Sequence, residues 1–451
     1  MLFSSFEFLF RFLPVFLVIY YLTPKKLRNV TLLGGSIVFY TIGEAGYITI
    51  LLACVLVNYT LTRLMYRKNT DGRGIRQKRL LLLALGYDLG VLFFFKYSGL
   101  ASGLPLGISF YTFQIMAYVI DVYRGRIPAE QSLLRLGTYL TMFPQLISGP
   151  ITNYADVRVA LGRERTIKAR QLEEGMKLLI IGLAAKVVIA DRIGTLWNSI
   201  RMIGFDSIST KLAWMGAFAY SLQLYFDFAG YSMMARGIGK MLGFELPVNF
   251  RYPYISKSVT EFWRRWHITL GRWFGEYVYI PLGGNRKGKA RTFFNLFVVW
   301  SLTALWHGAN YNFLIWGGIL LCCLLVEKLF LLRLLDKSRV IGHLYVLFVV
   351  PLSWVAFAVT DLSELGVYMT RLFPFAGHAA GVINHLDYLK YLNDYAPLFL
   401  LGVLFATPLP ETCYRLIERK WIGRVILLGI FGLCMYYLAV SANNPFLYFN
   451  F

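Results

Sequence analysis

The apolar residues of this chain come in blocks that approach the length needed to cross a lipid bilayer. Crossing the hydrocarbon layer, roughly 30 Å thick, takes about 20 apolar residues in a helix. Such blocks occupy residues 6–22, 30–43, 47–62, 80–95, 104–121, 132–150, 176–193, 211–235, 292–306, 311–331, 341–359, 395–408 and 425–440. Only 16% of the residues are charged, against about 25% in soluble domains. The sequence predicts an all-α, polytopic integral membrane protein with about 10–13 transmembrane or re-entrant helices.

Four of these blocks need a more specific interpretation. Block 6–22 has no basic leader and no small-residue cleavage site, so we interpret it as the first span rather than a cleaved signal peptide. Blocks 104–121, 132–150 and 176–193 are short or carry charges. For these three, re-entrant or tilted helices buried in protein are the alternative to simple spans.

The net charge of +22 fits a membrane protein better than a nucleic-acid-binding one. The basic residues form short clusters between the blocks, as the positive-inside rule requires. These clusters are Lys25, Lys26 and Arg28; the stretch 63–79; Arg286, Lys287, Lys289 and Arg291; Arg333, Lys337 and Arg339; and Arg415, Arg419, Lys420 and Arg424. Residues 42–46 contain no basic residue, and residues 361–394 mix both signs. We expect the N-terminus outside, the basic clusters in the cytoplasm and residues 361–394 outside.

The stretch 244–291 is too polar to span a membrane and too aromatic to lie in water. From Ser258 or Thr260 onward, its apolar residues recur at i, i+3, i+4, i+7, i+10 and i+11, which places them on one face of a helix. That face carries Trp263, Trp266, His267, Leu270, Trp273 and Phe274. The pattern predicts an amphipathic helix, which lies in the membrane interface or packs back into the bundle.

Two of the five histidines are candidates for chemistry, because a neutral imidazole is a ready proton acceptor near physiological pH. His267 lies on the apolar face just described. His307 ends an apolar run and is followed by Gly308, with Asn310 and Asn312 as nearby amides. On pattern alone, His307 is equally compatible with a general base and with a structural histidine. His343, His378 and His385 lie in or beside loops and are expected to be structural or solvated.

Two further features carry charge. Asp227 lies inside an apolar block and is expected to pair with Lys186 or Arg236 or to orient a histidine. The basic run Gly284, Asn285, Arg286, Lys287 lacks the spacing of a Walker loop, but its amides and cations suit carrier phosphates as well as an ordinary cytoplasmic loop. The five cysteines are too scattered for a disulfide framework or a metal cluster, so no metal site is predicted.

Several motifs together resemble the membrane-bound O-acyltransferase family, specifically the bacterial branch that O-acetylates exported polysaccharides such as alginate. The motifs are EFWRRWHITL at 261–270, YIPLGGNRKG at 279–288, LWHGANYNFLIWG at 305–317, MFPQLISGPI at 142–151, QLYFDFAGYS at 223–232 and NPFLYFNF at 444–451. The resemblance implies one domain over 1–451. It comprises N-terminal transmembrane helices in 1–95, a catalytic core in 100–331 with the amphipathic segment 258–291, and C-terminal helices in 341–451.

The resemblance also implies a function and a site. His307 would be the main active-site residue and His267 the second, both along a central tunnel that acetyl-CoA reaches from the cytoplasm as the donor substrate. Gly284, Asn285, Arg286 and Lys287 would bind its phosphates. The acetyl group would pass to an extracytoplasmic enzyme of the Ser-Gly-Asn-His hydrolase class or to the polysaccharide itself, in the bacterial cytoplasmic membrane. No resident cofactor and no nucleic acid partner are expected.

Three other functions stay open at this point. D-alanyl transfer to teichoic acid is the nearest alternative within the family. A polysaccharide transporter would show internal repeats and paired broken helices, which the sequence lacks. A non-catalytic scaffold that recruits an extracytoplasmic enzyme would not require two histidines in apolar surroundings.

Overall fold

The computed structural model describes residues 1–66, 74–100, 103–147, 149–376, 384–418 and 420–440. Within these ranges the regular structure is entirely helical, with no β-strand. Part of the basic cluster in 63–79, His378, Arg419 and the closing motif at 444–451 fall outside them. The predicted all-α class is confirmed.

The chain forms two compact units, and the first comprises Met1–Ile180, Tyr231–Val248 and Gly275–Tyr277. Its helices include short pieces as well as long apolar ones. They are α1 (Leu13–Leu22), α2 (Arg28–Glu44), α3 (Ile48–Met65), α4 (Ile75–Tyr97), α5 (Ile108–Tyr123), α6 (Leu133–Thr141), α7 (Phe143–Leu146), α8 (Tyr154–Gly162) and most of α9 (Ala169–Ala184). A π-helical turn, Glu7–Phe12, leads directly into α1.

Aromatic side chains fill the interior of this first unit. Phe3 and Phe8 lie 4.7 Å apart by ring centroid, and Phe39 and Phe143 lie 5.3 Å apart in the same cluster. Most residues of α5 are buried, as is the second half of α6. Predicted block 132–150 is broken, since α6 ends at Thr141 and α7 has a proline in its first turn. For blocks 104–121 and 132–150 this burial favours helices packed in protein.

The second unit comprises Ile181–Gly230, Asn249–Phe274 and Val278–Phe451. Its helices are α10 (Asp191–Ile203), the first part of α11 (Thr210–Met241), α12 (Val259–Arg265), α13 (Ile268–Phe274), α14 (Lys289–His307), α15 (Tyr311–Val326), α16 (Leu332–Leu335), α17 (Arg339–Ala358), α18 (Leu362–Leu372), α19 (Asp387–Phe405), α20 (Leu409–Arg415) and α21 (Trp421–Val440). Both predicted histidines of the site belong to this unit.

Five helical stretches within the described residues are long and apolar enough to cross a bilayer. They are Lys25–Met65, Ile75–Tyr97, Tyr311–Leu335, Arg339–Ala358 and Trp421–Val440. The bent pair Asp387–Phe405 and Leu409–Arg415, with a bend of 69°, gives a sixth if it forms one span. At about 1.5 Å per residue, the first stretch is roughly 60 Å long, enough for the two predicted blocks that it contains.

The predicted continuous amphipathic helix from Ser258 or Thr260 is wrong. The chain leaves the helix at Trp266 and His267, so that α12 and α13 are separate helices of seven residues each. His267 has φ 44°, in the left-handed region that side chains other than glycine rarely adopt. A π-helical turn, Gly275–Tyr279, follows α13.

Close packing and two hydrogen bonds fix α14, α15 and α17 relative to one another. A Cβ on Gly317 in α15 would lie 2.9 Å from the Ala304 side chain in α14, so the two helices meet at close range. Asn312 in α15 donates to the carbonyls of Ala356 and Phe357 at the end of α17, at 3.3 and 2.8 Å. These contacts place α15 against both α14 and the end of α17.

Candidate active site

The hydrogen bonds around Asn249 explain why the chain leaves the helix at His267. The Asn249 carbonyl accepts a backbone hydrogen bond from Ile268 at 2.9 Å. Its side-chain Oδ1 lies 3.2 Å from the Thr269 backbone nitrogen and 3.0 Å from the Thr269 Oγ1. Asn249 therefore satisfies amide groups that the first turn of α13 leaves unpaired. This support from outside the segment offsets the cost of the left-handed residue.

The same amide oxygen sets the tautomer of His267. Asn249 Oδ1 lies 3.1 Å from His267 Nδ1 and also faces the Thr269 backbone N–H, which can only donate. The Asn249 oxygen is therefore the acceptor, and His267 Nδ1 carries the proton. In the neutral ring this leaves Nε2 as the basic nitrogen. The bond orients the imidazole as well as assigning its proton.

The His267 ring is enclosed by aromatic side chains and is only 2% exposed. Phe228 of α11 contacts it edge-on with ring centroids 4.7 Å apart, and the centroid of Trp306 lies at 6.2 Å. Removal of water disfavours the charged imidazolium, and burial lowers the pKa of His267 to about 3. His267 is therefore neutral across the physiological pH range.

Glu327 fixes the position of α12, which carries the chain toward His267. Its side chain is 1% exposed, and its carboxylate accepts hydrogen bonds from the backbone of Val259 and Thr260 and from the Thr260 hydroxyl. Ser258 caps the same helix by accepting from the Glu261 amide. A carboxylate at a helix N-terminus satisfies free N–H groups and opposes the positive end of the helix dipole. Within α12, the Arg265 guanidinium pairs with the Glu261 carboxylate at 2.8 Å.

His307 is the last residue of α14, and its ring is also surrounded by aromatic side chains. The ring centroids of Trp316 and Phe357 lie 5.0 and 5.1 Å away, and that of Phe313 lies 6.0 Å away in a stacked arrangement. Phe357 is held by the Asn312 bond to its carbonyl. Asn312 therefore acts on the wall of the site through the backbone of α17, while Asn310 is exposed at the start of α15.

Trp306 contacts both imidazoles. Its ring centroid is 6.2 Å from that of His267 and 4.9 Å from that of His307. The two imidazole centroids are therefore at most about 11 Å apart, the sum of these separations. Trp306 is 4% exposed and His307 is 7% exposed, so both imidazoles lie in an environment with little water. In such surroundings a proton transfer is shielded from bulk solvent.

The glycine-rich basic run lies at the other end of α14. Asn285, Arg286 and Lys287 are exposed, while Gly284 is buried and its carbonyl accepts from the Asn295 side chain at 2.8 Å. Gly283, Gly284 and Gly288 all have positive φ, so this tight turn depends on glycine. From Lys289 to His307, α14 is about 27 Å long at about 1.5 Å per residue. The structure thus brings the two histidines together and separates them from Gly284–Lys287.

Comparison with known proteins identifies the family of this chain. The sequence profile of the membrane-bound O-acyltransferase family matches residues 37–339. The chain belongs to the membrane-bound O-acyltransferase family. It is therefore an acyltransferase of a polytopic membrane class, and the family suggested by its motifs is confirmed.

Individual relatives of this membrane-bound O-acyltransferase have several names. It is 35% identical to a probable alginate O-acetylase of Pseudomonas putida over the whole of both chains. It is 29% identical to a peptidoglycan O-acetyltransferase of Helicobacter pylori, covering 100% of this chain and 98% of the relative. A teichoic acid D-alanyltransferase of Bacillus subtilis is 31% identical, over 48% of this chain and 58% of the relative.

In this membrane-bound O-acyltransferase, Asp227 pairs with Lys186, one of the two predicted cations. Lys186 Nζ lies 2.7 Å from Asp227 Oδ1 and 2.6 Å from Asp191 Oδ1. Lys186 and Asp227 are both nearly inaccessible to solvent. Asp227 immediately precedes Phe228, whose ring contacts His267. The ion pair therefore holds the part of α11 that forms one wall of the His267 site.

Sequence reasoning missed several residues that shape this site. Glu327 was detectable as a lone acidic residue inside an apolar run, where a charge needs a specific partner. Asn249 and Phe228 gave no such signal, because their roles arise from contacts with a distant segment. Of the other histidines, His343 lies 3.2 Å from the Ser256 carbonyl, and His385 is exposed.

Proposed function

We propose that this acyltransferase moves an acetyl group from cytoplasmic acetyl-CoA to a hydroxyl of an exported polysaccharide. The transfer is direct or proceeds through an extracytoplasmic enzyme of the Ser-Gly-Asn-His hydrolase class, at the cytoplasmic membrane of a bacterium. One observation carries this proposal: Trp306 contacts two buried imidazoles, at the end of α14 opposite the basic loop. The names of the alginate and peptidoglycan O-acetylating relatives support it.

His307 is the general base in this proposal. A thioester already has a good leaving group, so the barrier lies in activating the hydroxyl. His307 accepts the hydroxyl proton as the oxygen attacks the thioester carbonyl carbon. The C–S bond then breaks, and the imidazolium returns its proton to the departing thiolate. Proton transfer of this kind contributes roughly 10²–10⁴ in rate.

His267 has a different role, because its tautomer makes Nε2 a hydrogen-bond acceptor. A lone pair cannot bind the thioester carbonyl oxygen or the thiolate. We assign His267 instead to a donor group of a substrate, either the acceptor hydroxyl or an amide N–H of the pantetheine arm. Its low pKa suits this role, since the ring stays neutral and does not compete with His307 for the proton.

The basic loop binds the donor in this proposal. Exposed Asn285, Arg286 and Lys287 and the backbone amides of Gly284 and its neighbours offer cations and N–H donors to the phosphates of acetyl-CoA. The acyl-bearing arm then extends along α14 toward the imidazoles. Aromatic side chains around His307 exclude water that would hydrolyse the thioester.

The test is acetyl transfer by purified protein in liposomes, with radiolabelled acetyl-CoA inside and an oligosaccharide acceptor outside. The expected rate of His307→Ala is lower by about 100-fold or more. His385→Ala, which removes an exposed histidine from the same unit, is the matched control and should retain full activity. An undiminished rate in a folded His307→Ala protein would end the proposal.

The identity of the donor is tested separately. Arg286→Ala with Lys287→Ala is expected to raise KM for acetyl-CoA while kcat changes little, because only binding of the donor is weakened. A D-alanyl thioester on a carrier protein is supplied in a parallel assay. Transfer of D-alanine, with no acetyl transfer from acetyl-CoA, would assign the chain to teichoic acid D-alanylation instead.

A further inference from the structure

A polar cleft lies in the second unit, apart from the two imidazoles. Its volume is about 650 Å³, within the range of pockets that bind small ligands. It is formed by the end of α10, the turn that follows it, and the first turns of α18. Its polar lining comprises Asn198, Arg201, Asp206, Ser363 and Glu364, all exposed.

The floor of the cleft is aromatic and rigid. Phe205 lines it and is buried, and its ring centroid lies 4.8 Å from that of Tyr368 and 6.0 Å from that of Trp197. The Tyr368 hydroxyl in turn donates to the Ala213 carbonyl at 2.7 Å. The floor of the cleft is therefore fixed by packing and by a buried hydrogen bond.

Backbone geometry fixes the polar rim above this floor. Gly204 has φ 94°, in the region that favours glycine, and it sets the backbone path of the turn before Asp206. On the other side, Asp361 accepts from the amides of Ser363 and Glu364 at 2.8 and 3.0 Å and caps α18. The Asp361 cap thus fixes the backbone at Glu364. On the other side of the cleft, the Arg371 guanidinium donates to the Asp206 carbonyl and fixes the backbone there.

The cleft lies near the same end of α17 as His307. α17 begins at Arg339, in a basic cluster predicted to be cytoplasmic, and its far end carries Phe357, which contacts His307. Ser363 follows six residues later, so it lies at most about 21 Å from Phe357 even along an extended chain. The cleft and His307 therefore lie toward the end of α17 that is away from the basic residues.

The chemistry of the rim selects the class of ligand. Arg201 and Asn198 donate hydrogen bonds, Asp206 and Glu364 accept them, and Ser363 does both. Such a set matches vicinal hydroxyls, each of which donates and accepts. The two carboxylates outnumber the single guanidinium, which disfavours a polyanion.

We infer that this cleft is a binding subsite for an uncharged, hydroxyl-rich segment of the acceptor glycan. This inference rests on the proposed function, because it places the acceptor on the same side as His307. It goes further by naming the class of sugar and the residues that bind it. The cleft holds the chain while a hydroxyl elsewhere on it reaches the imidazoles.

Binding to the full-length protein in nanodiscs tests the inference. Isothermal titration calorimetry is performed with neutral probes, a β-1,4-glucan hexamer and a mannan hexamer, and with an oligomannuronate. The wild type should bind at least one neutral probe and bind the oligomannuronate more weakly. Asp206→Asn and Glu364→Gln should each weaken binding by about tenfold, a change of about 1.4 kcal/mol. Asp336→Asn, an exposed carboxylate elsewhere in the unit, is the matched control.

Failure of this inference is distinguishable from failure of the proposed function. His307→Ala should bind the neutral probe like the wild type while losing acetyl transfer. Binding unaffected by Asp206→Asn and Glu364→Gln would overturn the subsite, as would stronger binding of the oligomannuronate. Absence of binding to both neutral probes would also overturn it and would leave the transfer assay with His307→Ala as an independent result.

Discussion

Asn249 Oδ1 lies 3.1 Å from His267 Nδ1, and this contact between residues 18 positions apart fixes the orientation of the imidazole. The same oxygen accepts from Thr269, so the residue that orients the ring also begins the next helix. Ring orientation and backbone path at this point therefore depend on a single amide.

Removal of that amide is predicted to reduce turnover. In Asn249→Ala the imidazole loses its fixed tautomer and orientation, and misplacement of a reacting group by about 1 Å costs on the order of 100-fold in rate. We expect kcat for acetyl transfer to fall by about that factor. Asn249→Asp keeps an acceptor at the same place and should retain more activity than Asn249→Ala. Its negative charge should also raise the pKa of His267, which shifts the acid limb of the pH profile upward. Equal activity and an identical pH profile in both variants would contradict a positioning role.

The low pKa of His267 predicts that stability depends on pH in a defined window. The unfolded imidazole binds a proton near pH 6.5, whereas the folded one remains neutral down to about pH 3. The unfolded state therefore binds more protons below pH 6.5, and folding stability falls as the pH falls from about 6.5 toward 3. Between pH 6.5 and 5 this contribution is about 2 kcal/mol.

Thermal unfolding in detergent micelles checks this window. His267→Gln should lose less Tm than the wild type when the pH is lowered from 7 to 5. His385→Gln, at an exposed histidine, should behave like the wild type. The same loss of Tm in all three proteins would show that His267 does not become harder to protonate on folding.

Gly308 is predicted to tolerate no side chain. A Cβ at this position would lie 2.5 Å from Phe313 Cε2, and Phe313 stacks on His307. Gly308→Ala therefore displaces Phe313 and opens the wall around the imidazole, and we expect at least about tenfold lower acetyl transfer with a folded protein. Gly318→Ala is the control, since a Cβ there meets no atom within 4 Å. Comparable rates for both variants would contradict the predicted clash.

Glu327 is predicted to be a structural cap whose loss disturbs the site at a distance. Glu327→Ala leaves the Val259 and Thr260 amides without their carboxylate partner, which costs roughly 1–3 kcal/mol for buried donors. We expect a lower Tm and lower activity. Glu327→Gln keeps one acceptor oxygen and should fall between the alanine variant and the wild type. A Tm unchanged in Glu327→Ala would show that α12 does not depend on this cap.

The buried pair of Lys186 and Asp227 should show strong coupling. Lys186→Met leaves two carboxylates without their cation, and breaking a buried pair costs about 3–5 kcal/mol. The double variant Lys186→Met with Asp227→Leu should recover part of the lost Tm. Arg170→Ala removes the exposed partner of an ion pair with Glu174, which keeps its contact with Lys240, and should change Tm little. Additive effects of the two core substitutions would argue against direct pairing.

The sequence predicted long helices well and local breaks poorly. Apolar blocks such as 292–306 and 341–359 became α14 and α17 almost as expected, because burial in lipid or protein requires a continuous helix there. Periodicity from Ser258 onward implied a continuous helix, yet His267 interrupts it. The interruption depends on Asn249, whose contribution is a tertiary contact that periodicity does not contain.

For the site as well, the sequence predicted some features and missed those that depend on tertiary contacts. His307 was proposed as a site residue from its place at the end of an apolar run, and this stays a prediction. Asp227 was correctly paired with Lys186 as one of three alternatives. The contact of Trp306 with both imidazoles was not predictable, because it depends on how the break at His267 packs against the end of α14. The distance from Gly284–Lys287 to His307 followed only once α14 was known to be unbroken.

The unbroken length of α14 also limits which donors can act, because it sets the distance between the basic loop and the imidazoles. If the loop at its start holds the phosphates of the donor, the thioester must arrive about 27 Å away, nearly the thickness of the hydrocarbon layer. An activated acetyl compound without a long flexible arm could not contact the loop and the imidazoles at the same time. The length of α14 therefore favours a carrier with a long arm. Such a carrier can place its acetyl group at the imidazoles while its charged phosphates stay at the membrane surface.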